Sequence, residues 1–78
     1  MTLDIILKNR DDAESLNYEA CRFGDTLFVH TKDDAIMVDA RSLLALYSLI
    51  GKEARLVGED NLDPKELVRV AKRAGLIS

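Results

Sequence analysis

Apolar and polar residues alternate over two short segments of the chain. In residues 2–8, every second position from Leu3 to Leu7 is apolar, and a period of two is typical of a strand with one buried face. Residues 53–58 repeat this alternation. We therefore expect a strand in each of these segments.

A hairpin is expected in the middle of the chain. Residues 26–31 are rich in β-branched and aromatic side chains, and residues 35–39 form a second apolar run. Between them the polar group Lys32-Asp33-Asp34 has the composition of a turn. The two runs therefore predict paired strands.

The first helix is predicted over residues 12–23. Its apolar positions recur at helical spacing at Ala13, Leu16, Ala20 and Phe23. Asp11 and Glu14 fit an aspartate variant of the capping box, in which each side chain accepts from the other's backbone N–H. Gly24 is placed where a left-handed residue ends a helix. These signals predict a helix that Asp11 caps and Gly24 closes.

A second helix is predicted between Ser42, a favoured N-cap, and Gly51, a favoured residue just past a helix end. Its helical spacing directs Leu46 and Ile50 toward the sheet. The same spacing leaves Leu44 and Tyr47, three residues apart, on a face that is expected to be exposed.

The third helix has the clearest signals. Asp63 stands at the N-cap, Pro64 at the first helical position and Glu66 at the third, and Gly75 follows the last apolar position. The complete order is β-α-β-β-α-β-α. It predicts a single α+β domain over residues 1–78, a two-layer open-faced sandwich with a four-stranded antiparallel sheet and three helices on one face.

Composition and charge narrow the function classes. The 78 residues include 11 Lys and Arg against 14 Asp and Glu, a net charge of −3, which disfavours nucleic acid as a partner. Cys21 is the only cysteine, so no intrachain disulfide or thiolate cluster is possible. No apolar run approaches the ~20 residues that cross a bilayer, and the acidic start is unlike a signal peptide. We expect a cytoplasmic protein with no targeting segment, no membrane contact, no cofactor and no metal.

The element order and residues 38–54, VDARSLLALYSLIGKEA, resemble the HPr family, the histidine-containing phosphocarrier proteins of the bacterial sugar phosphotransferase system. The stretch resembles the HPr strand, the regulatory serine, the second helix and the turn after it. Phe23 and the Gly75-Leu76 pair also fall where HPr commonly has such residues. The resemblance implies the HPr fold and protein partners, possibly from the phosphotransferase system or its regulation.

The HPr phosphohistidine motif is missing. In HPr the phosphoryl group is carried by a histidine at the start of the first helix, within Gly-(Ile/Leu)-His-Ala-Arg-Pro-Ala. The corresponding segment here contains Asn9, Arg10, Asp11 and Asp12. Counting back from Phe23 places Asn9 at the histidine position, whereas matching the helix starts places Asp11 there. Neither side chain can form a phosphoramidate.

The resemblance also implies candidate binding and regulatory residues. Ser42, preceded by the basic Arg41, matches the serine that HPr kinase phosphorylates, although helix capping alone explains a serine there. The partner-binding candidates that the resemblance implies on the second helix are Leu43, Leu44 and Tyr47, together with Arg41. A covering loop or self-association would be an alternative reason for apolar residues at these positions.

No set of catalytic residues is recognisable in the chain. His30 is the only histidine and is expected on a strand, half exposed. The favoured hypothesis is a degenerate HPr-like protein, not an enzyme, that binds or regulates a protein partner without phosphohistidine transfer. A switch phosphorylated on Ser42, or a phosphocarrier that uses His30 or Asp11 as an atypical acceptor, remains open.

Overall fold

Seven elements follow one another along the chain in the order β-α-β-β-α-β-α. The structure, a computed structural model, describes residues 2–78. The strands and helices are β1 (Thr2–Ile6), α1 (Arg10–Arg22), β2 (Phe28–Thr31), β3 (Met37–Asp39), α2 (Leu43–Tyr47), β4 (Glu53–Val57) and α3 (Pro64–Arg73).

The strands form one antiparallel sheet in the order β1-β4-β2-β3, with β1 and β3 at its edges. β4 lies between β1 and β2 in the sheet. Its Ala54 pairs with Ile5 of β1 on one side and with Thr31 of β2 on the other. The central hairpin is confirmed, since Val29 pairs with Val38. Asp34 in its turn has a φ of 60°, which aspartate tolerates better than most residues.

One face of the sheet is covered by the helices and the other is not. The alternation in β4 is confirmed, because Ala54 and Leu56 are buried while their neighbours are not. These side chains share one cluster with Leu16 of α1 and Leu67 of α3. The fully buried core has as its largest side chains Leu7, Leu16, Leu27, Leu46, Leu49, Leu56, Leu67 and Val29. The predicted α+β fold, with its helices on one face, is confirmed.

The predicted cap of α1 is wrong. Asn9, with extended backbone (φ −158°, ψ −179°), is the N-cap, and its Oδ1 accepts from the Asp12 N–H at 2.9 Å. Asp11 lies inside the helix. Asp12 completes the cap by accepting from the Lys8 N–H at 2.8 Å. Asparagine and aspartate cap equally well, so local preference alone left Asn9 and Asp11 undecided.

The predicted end of α1 is also wrong in its conformation. The helix ends at Arg22, and Phe23 leaves it in an extended conformation (φ −74°, ψ 142°). Gly24 does not have a positive φ; Gly51 and Gly75 are the glycines that do. α1 therefore ends without the left-handed residue that the glycine suggested.

The helix α2 is shorter than predicted and α3 is as predicted. α2 covers Leu43–Tyr47, and residues 48–51 continue as turns to Gly51, whose φ is 83°. In α3, the Asp63 side chain accepts from the Lys65 N–H at 2.9 Å, and Pro64 opens the helix. Within residues 2–78, none of the helices has the length and apolar content needed to cross a bilayer.

Candidate functional site

The start of α1 is a closed polar arrangement. Asn9 Oδ1 accepts from the Asp12 N–H, and the Asp12 carboxylate accepts from the Lys8 N–H and also pairs with Lys8 Nζ at 3.1 Å. Asp11 is exposed on the first turn. Two carboxylates therefore lie at the positive end of this helix, where they are electrostatically favoured.

Tyr47 joins α2 to α1. Its hydroxyl donates to Glu14 Oε2 at 2.7 Å, and the Arg10 guanidinium carbon lies 5.4 Å from the centre of its ring. The Tyr47 side chain, and after it the charge of Glu14, raises the pKa of Arg10 above its ordinary value. The tyrosine ring is thus held from its face by a cation and from its hydroxyl by a carboxylate.

The Arg41 side chain is exposed and is bound to the Asp39 carboxylate. Its Nε and Nη2 donate to the two Asp39 carboxylate oxygens at 3.2 and 3.0 Å, and its backbone N–H donates to Oδ1 at 2.9 Å. The side-chain hydrogen bonds from Arg41, and then its backbone N–H, hold the pKa of Asp39 below its usual value. The pair fixes the turn that leads from β3 into α2.

Ser42 is at the N-cap position of α2 but does not cap it with its side chain. Its backbone N–H donates to the Asp39 carbonyl at 2.9 Å, and its carbonyl accepts from Leu46 at 3.1 Å. Within residues 2–78 its hydroxyl makes no capping hydrogen bond, and the residue is exposed. The hydroxyl is therefore accessible, and capping does not account for it.

The three apolar candidates of α2 differ in exposure. Leu44 is 81% exposed, the most open of the large apolar side chains in the described chain. Leu43 is half-buried. Tyr47 is half-buried and packs against the core. An exposed leucine therefore lies one helical turn from a braced tyrosine, and we name Arg10, Leu44 and Tyr47 the α1–α2 surface.

Part of this surface was not anticipated from the sequence. The structure brings Arg10 and Tyr47 together, but no hydrogen bond or ion pair within residues 2–78 joins Arg41 or Ser42 to the start of α1. The missed residues are Glu14 and Asn17, the latter donating from Nδ2 to the Ala40 carbonyl at 3.2 Å. Glu14 lies four residues after Arg10 and Asn17 three residues after Glu14, so all three share one face of α1, and that spacing was the available signal.

His30, the remaining acceptor candidate, lies apart from this surface. His30 is half-exposed on β2, between Arg55 of β4 and Met37 of β3. Cys21 is exposed on α1. Among the residues that the structure describes, no three His, Cys, Asp or Glu side chains are grouped so that they could hold a metal ion.

The order of the elements and of the strands defines the class of fold. A β-α-β-β-α-β-α chain with the sheet order β1-β4-β2-β3 and its helices on one face is an open-faced α+β sandwich, and it is an HPr-like fold. The chain is similar to the histidine-containing phosphocarrier protein of Mycoplasma, with a TM-score of 0.68 at 15% identity over 95% of this chain and 90% of the other.

It is also similar to HPr from Thermoanaerobacter tengcongensis, with a TM-score of 0.67 at 20% identity over 100% of this chain and 99% of that one. The sequence matches no protein-family model and no curated protein. At these identities the likeness concerns the fold, and the expected HPr-like architecture is confirmed.

Proposed function

We propose that this chain is a non-catalytic, protein-binding regulatory domain related to the sugar phosphotransferase system, and that it does not carry phosphate on histidine. The observation that carries the proposal is the α1–α2 surface. Its Leu44 is 81% exposed beside a tyrosine that two side chains of α1 hold in place. Exposed apolar anchors next to fixed aromatic rings are typical of protein-binding sites.

The start of α1 supports the absence of phosphohistidine transfer. The histidine position of HPr is held by Asn9 or Asp11, and the only histidine of the chain, His30, lies on β2. A phosphoryl dianion needs free helix amides and a cation. Here the Asp12 amide is already capped by Asn9, and the carboxylates of the first turn would repel the dianion.

Labelling tests the phosphoryl part of the proposal. The chain is incubated with radiolabelled phosphoenolpyruvate and the first enzyme of the phosphotransferase system from the same organism, with that organism's HPr as the positive control. We expect no label on this chain. An acid-labile phosphoryl group on it would contradict the proposal, and loss of that label in His30→Ala or Asp11→Asn would identify the atypical acceptor.

An NMR titration tests the proposed role of the α1–α2 surface in binding a protein partner. The ¹⁵N-labelled chain is titrated with phosphotransferase-system proteins of the same organism, beginning with the first enzyme and HPr kinase. We expect signal changes at Arg10, Leu44 and Tyr47, and at least about a tenfold loss of affinity in Leu44→Asp, as for a buried anchor residue.

The matched control is Met37→Asp, since Met37 is 63% exposed and lies on β3. It is expected to bind as the wild type does. Equal losses in the two variants, or no binding to any protein of the system, would contradict the assigned surface and partner class.

A second candidate function is favoured by the exposed Ser42 hydroxyl, which is not engaged in capping within the described residues. In this reading the chain is a switch that a serine kinase phosphorylates. Incubation with HPr kinase and ATP, followed by intact mass, is expected to show one added phosphoryl group in the wild type and none in Ser42→Ala. An unchanged wild-type mass would end this reading.

A further inference from the structure

The backbone of β1 has one side without a partner strand. β1 is an edge strand whose neighbour is β4. The Lys32 N–H donates to the Glu53 carbonyl at 3.1 Å in the register of β2 with β4, so the backbone of Glu53 points toward β2 and that of Ala54 points toward its β1 partner Ile5. Backbone groups alternate between the two sides of an antiparallel strand. Asp4 and Ile6 therefore point to the open side, as does the next residue of that series, Lys8, whose N–H donates away from the sheet to a carboxylate of α1.

These outward groups form a free row. Within residues 2–78, no hydrogen bond outside the strand ladders uses the N–H or C=O of Asp4 or Ile6. The other edge of the sheet is less suitable, because β3 has three residues and the Asp39 carbonyl already accepts from Ser42. A row of unpaired N–H and C=O groups on an edge strand is a template for a further extended chain.

The side chains along the β1 edge indicate which residues an added strand would present to it. Asp4 and Ile6 lie on the helix-free face, where Asp4 is exposed and Ile6 is 43% exposed. Asp4 makes no ion pair in the described chain. Arg55, its cross-strand partner, instead binds Asp34 at 3.4 Å and the Lys32 carbonyl at 2.8 Å. Cross-strand pairs of opposite charge stabilise a sheet and like charges oppose it.

A second copy of this chain fits the edge poorly. The antiparallel register that uses every outward residue of β1 would place Asp4 opposite Asp4 of the other copy. We infer that the β1 edge binds an extended segment of another protein by antiparallel strand addition, with Lys or Arg opposite Asp4 and an apolar residue opposite Ile6. Leu44 and Tyr47 of the α1–α2 surface belong to α2, which packs toward β3 at the opposite edge of the sheet.

The test uses the whole chain and the peptide acetyl-Thr-Val-Thr-Lys-Thr-Val-Thr-amide. Paired around its lysine, this peptide presents Lys to Asp4 and Val to Ile6. We expect the amide protons of Asp4 and Ile6 to exchange more slowly with solvent at millimolar peptide, as measured by NMR. The amide of Ile5, which points toward β4, is the internal control and should not change.

Charge reversal provides the matched variants. We expect Asp4→Lys to weaken binding of the lysine peptide about fivefold and to improve binding of the same peptide with Glu in place of Lys. Asp4→Asn, which keeps the size of an exposed side chain, is expected to weaken it about twofold, so the inference stays testable if Asp4→Lys does not fold.

Three results would overturn the inference: unchanged exchange at Asp4 and Ile6, equal binding of the Lys and Glu peptides, or protection that rises with protein concentration when no peptide is present. The last result would assign the edge to a second copy. None of them involves Leu44, so the outcome is independent of the proposed function.

Discussion

At the scale of single residues, Tyr47 is where α1 and α2 meet. Its hydroxyl donates to Glu14 across 33 positions of sequence, and Arg10 lies over its ring. Each contact is exposed, so solvent screens it and the individual contributions are small. Together they hold the ring in one place next to Leu44. Because the ring is already ordered, binding a partner costs less side-chain conformational entropy.

We expect Tyr47→Phe to lower the free energy of unfolding by about 0.5–1 kcal/mol, because a hydrogen bond to a charged acceptor is lost at a partly exposed site. Urea unfolding of Tyr47→Phe, Glu14→Gln and the double variant isolates the coupling between the two side chains. Tyr18→Phe is the control, since Tyr18 is 60% exposed and its hydroxyl accepts from Arg22 at a marginal 3.5 Å. A coupling energy near zero would remove Tyr47 as the connection between the helices.

Two carboxylates make the stability depend on pH. The Thr31 hydroxyl and then the Ala35 N–H lower the pKa of Asp33, and Arg41 lowers the pKa of Asp39. A carboxylate with a lowered folded-state pKa stabilises the fold above its unfolded pKa, about 3.9, and this contribution is lost as the pH falls through the folded value. The loss therefore occurs on the acid side of about pH 4.

We expect the free energy of unfolding, measured with urea at pH 7 and near pH 3, to fall less with acid in Asp33→Asn and Asp39→Asn than in the wild type. Carboxyl ¹³C titration of the folded chain gives the midpoints directly. Midpoints at or above the ordinary aspartate value would contradict the assigned hydrogen bonds.

At the scale of elements, the helix ends show how far local sequence determines structure. α3 was predicted closely because Asp63, Pro64 and Gly75 each favour one position. In α1, Asn9 and Asp11 have similar capping preference, and Asn9 is the cap. Glu14, which a capping box with Asp11 would need, instead accepts from the distant Tyr47. Long-range contacts of this kind leave no mark in the local pattern.

The capping contacts predict that removing the N-cap side chain costs more stability at the start of α1 than at the start of α2. Asn9→Ala removes an acceptor that lies 2.9 Å from the Asp12 N–H, and we expect it to cost about 1 kcal/mol. Ser42→Ala removes no side-chain cap, so its cost is expected to stay under about 0.5 kcal/mol. Asp11→Ala is the control for α1. Chemical denaturation of the three variants checks the order, and a larger loss in Ser42→Ala than in Asn9→Ala would contradict it.

At the scale of the whole molecule, the fold was more predictable than the surface. The alternation of β4 and the spacing of Leu46 and Leu67 identify the faces that meet in the core, because burial acts on every residue of a face. The surface depends on single contacts, such as Arg41 with Asp39 or Tyr47 with Glu14. The first of these is local and could have been inferred, whereas the second required the packing of α1 on α2.

Leu44 and Leu46 allow the two roles of α2 to be separated, since one is 81% exposed and the other fully buried on the same short helix. We expect Leu46→Ala to lower the free energy of unfolding by about 2–5 kcal/mol, from lost burial and the cavity left behind. A chain of this size has a total of only about 4–12 kcal/mol, so the loss is a large fraction of its stability and is expected as a clear fall in the urea midpoint.

Leu44→Ala is expected to change the free energy of unfolding by less than about 0.5 kcal/mol, because almost no burial is lost at an exposed site. Its effect is expected on binding to the protein partner instead, as an anchor residue that is buried only in the complex. Urea unfolding of Leu44→Ala and Leu46→Ala checks the difference in stability. Affinity for the partner is measured for Leu44→Ala, which is expected to be the more stable of the two. A stability loss in Leu44→Ala as large as that in Leu46→Ala would show that Leu44 supports the fold, and the α1–α2 surface would then lose its anchor.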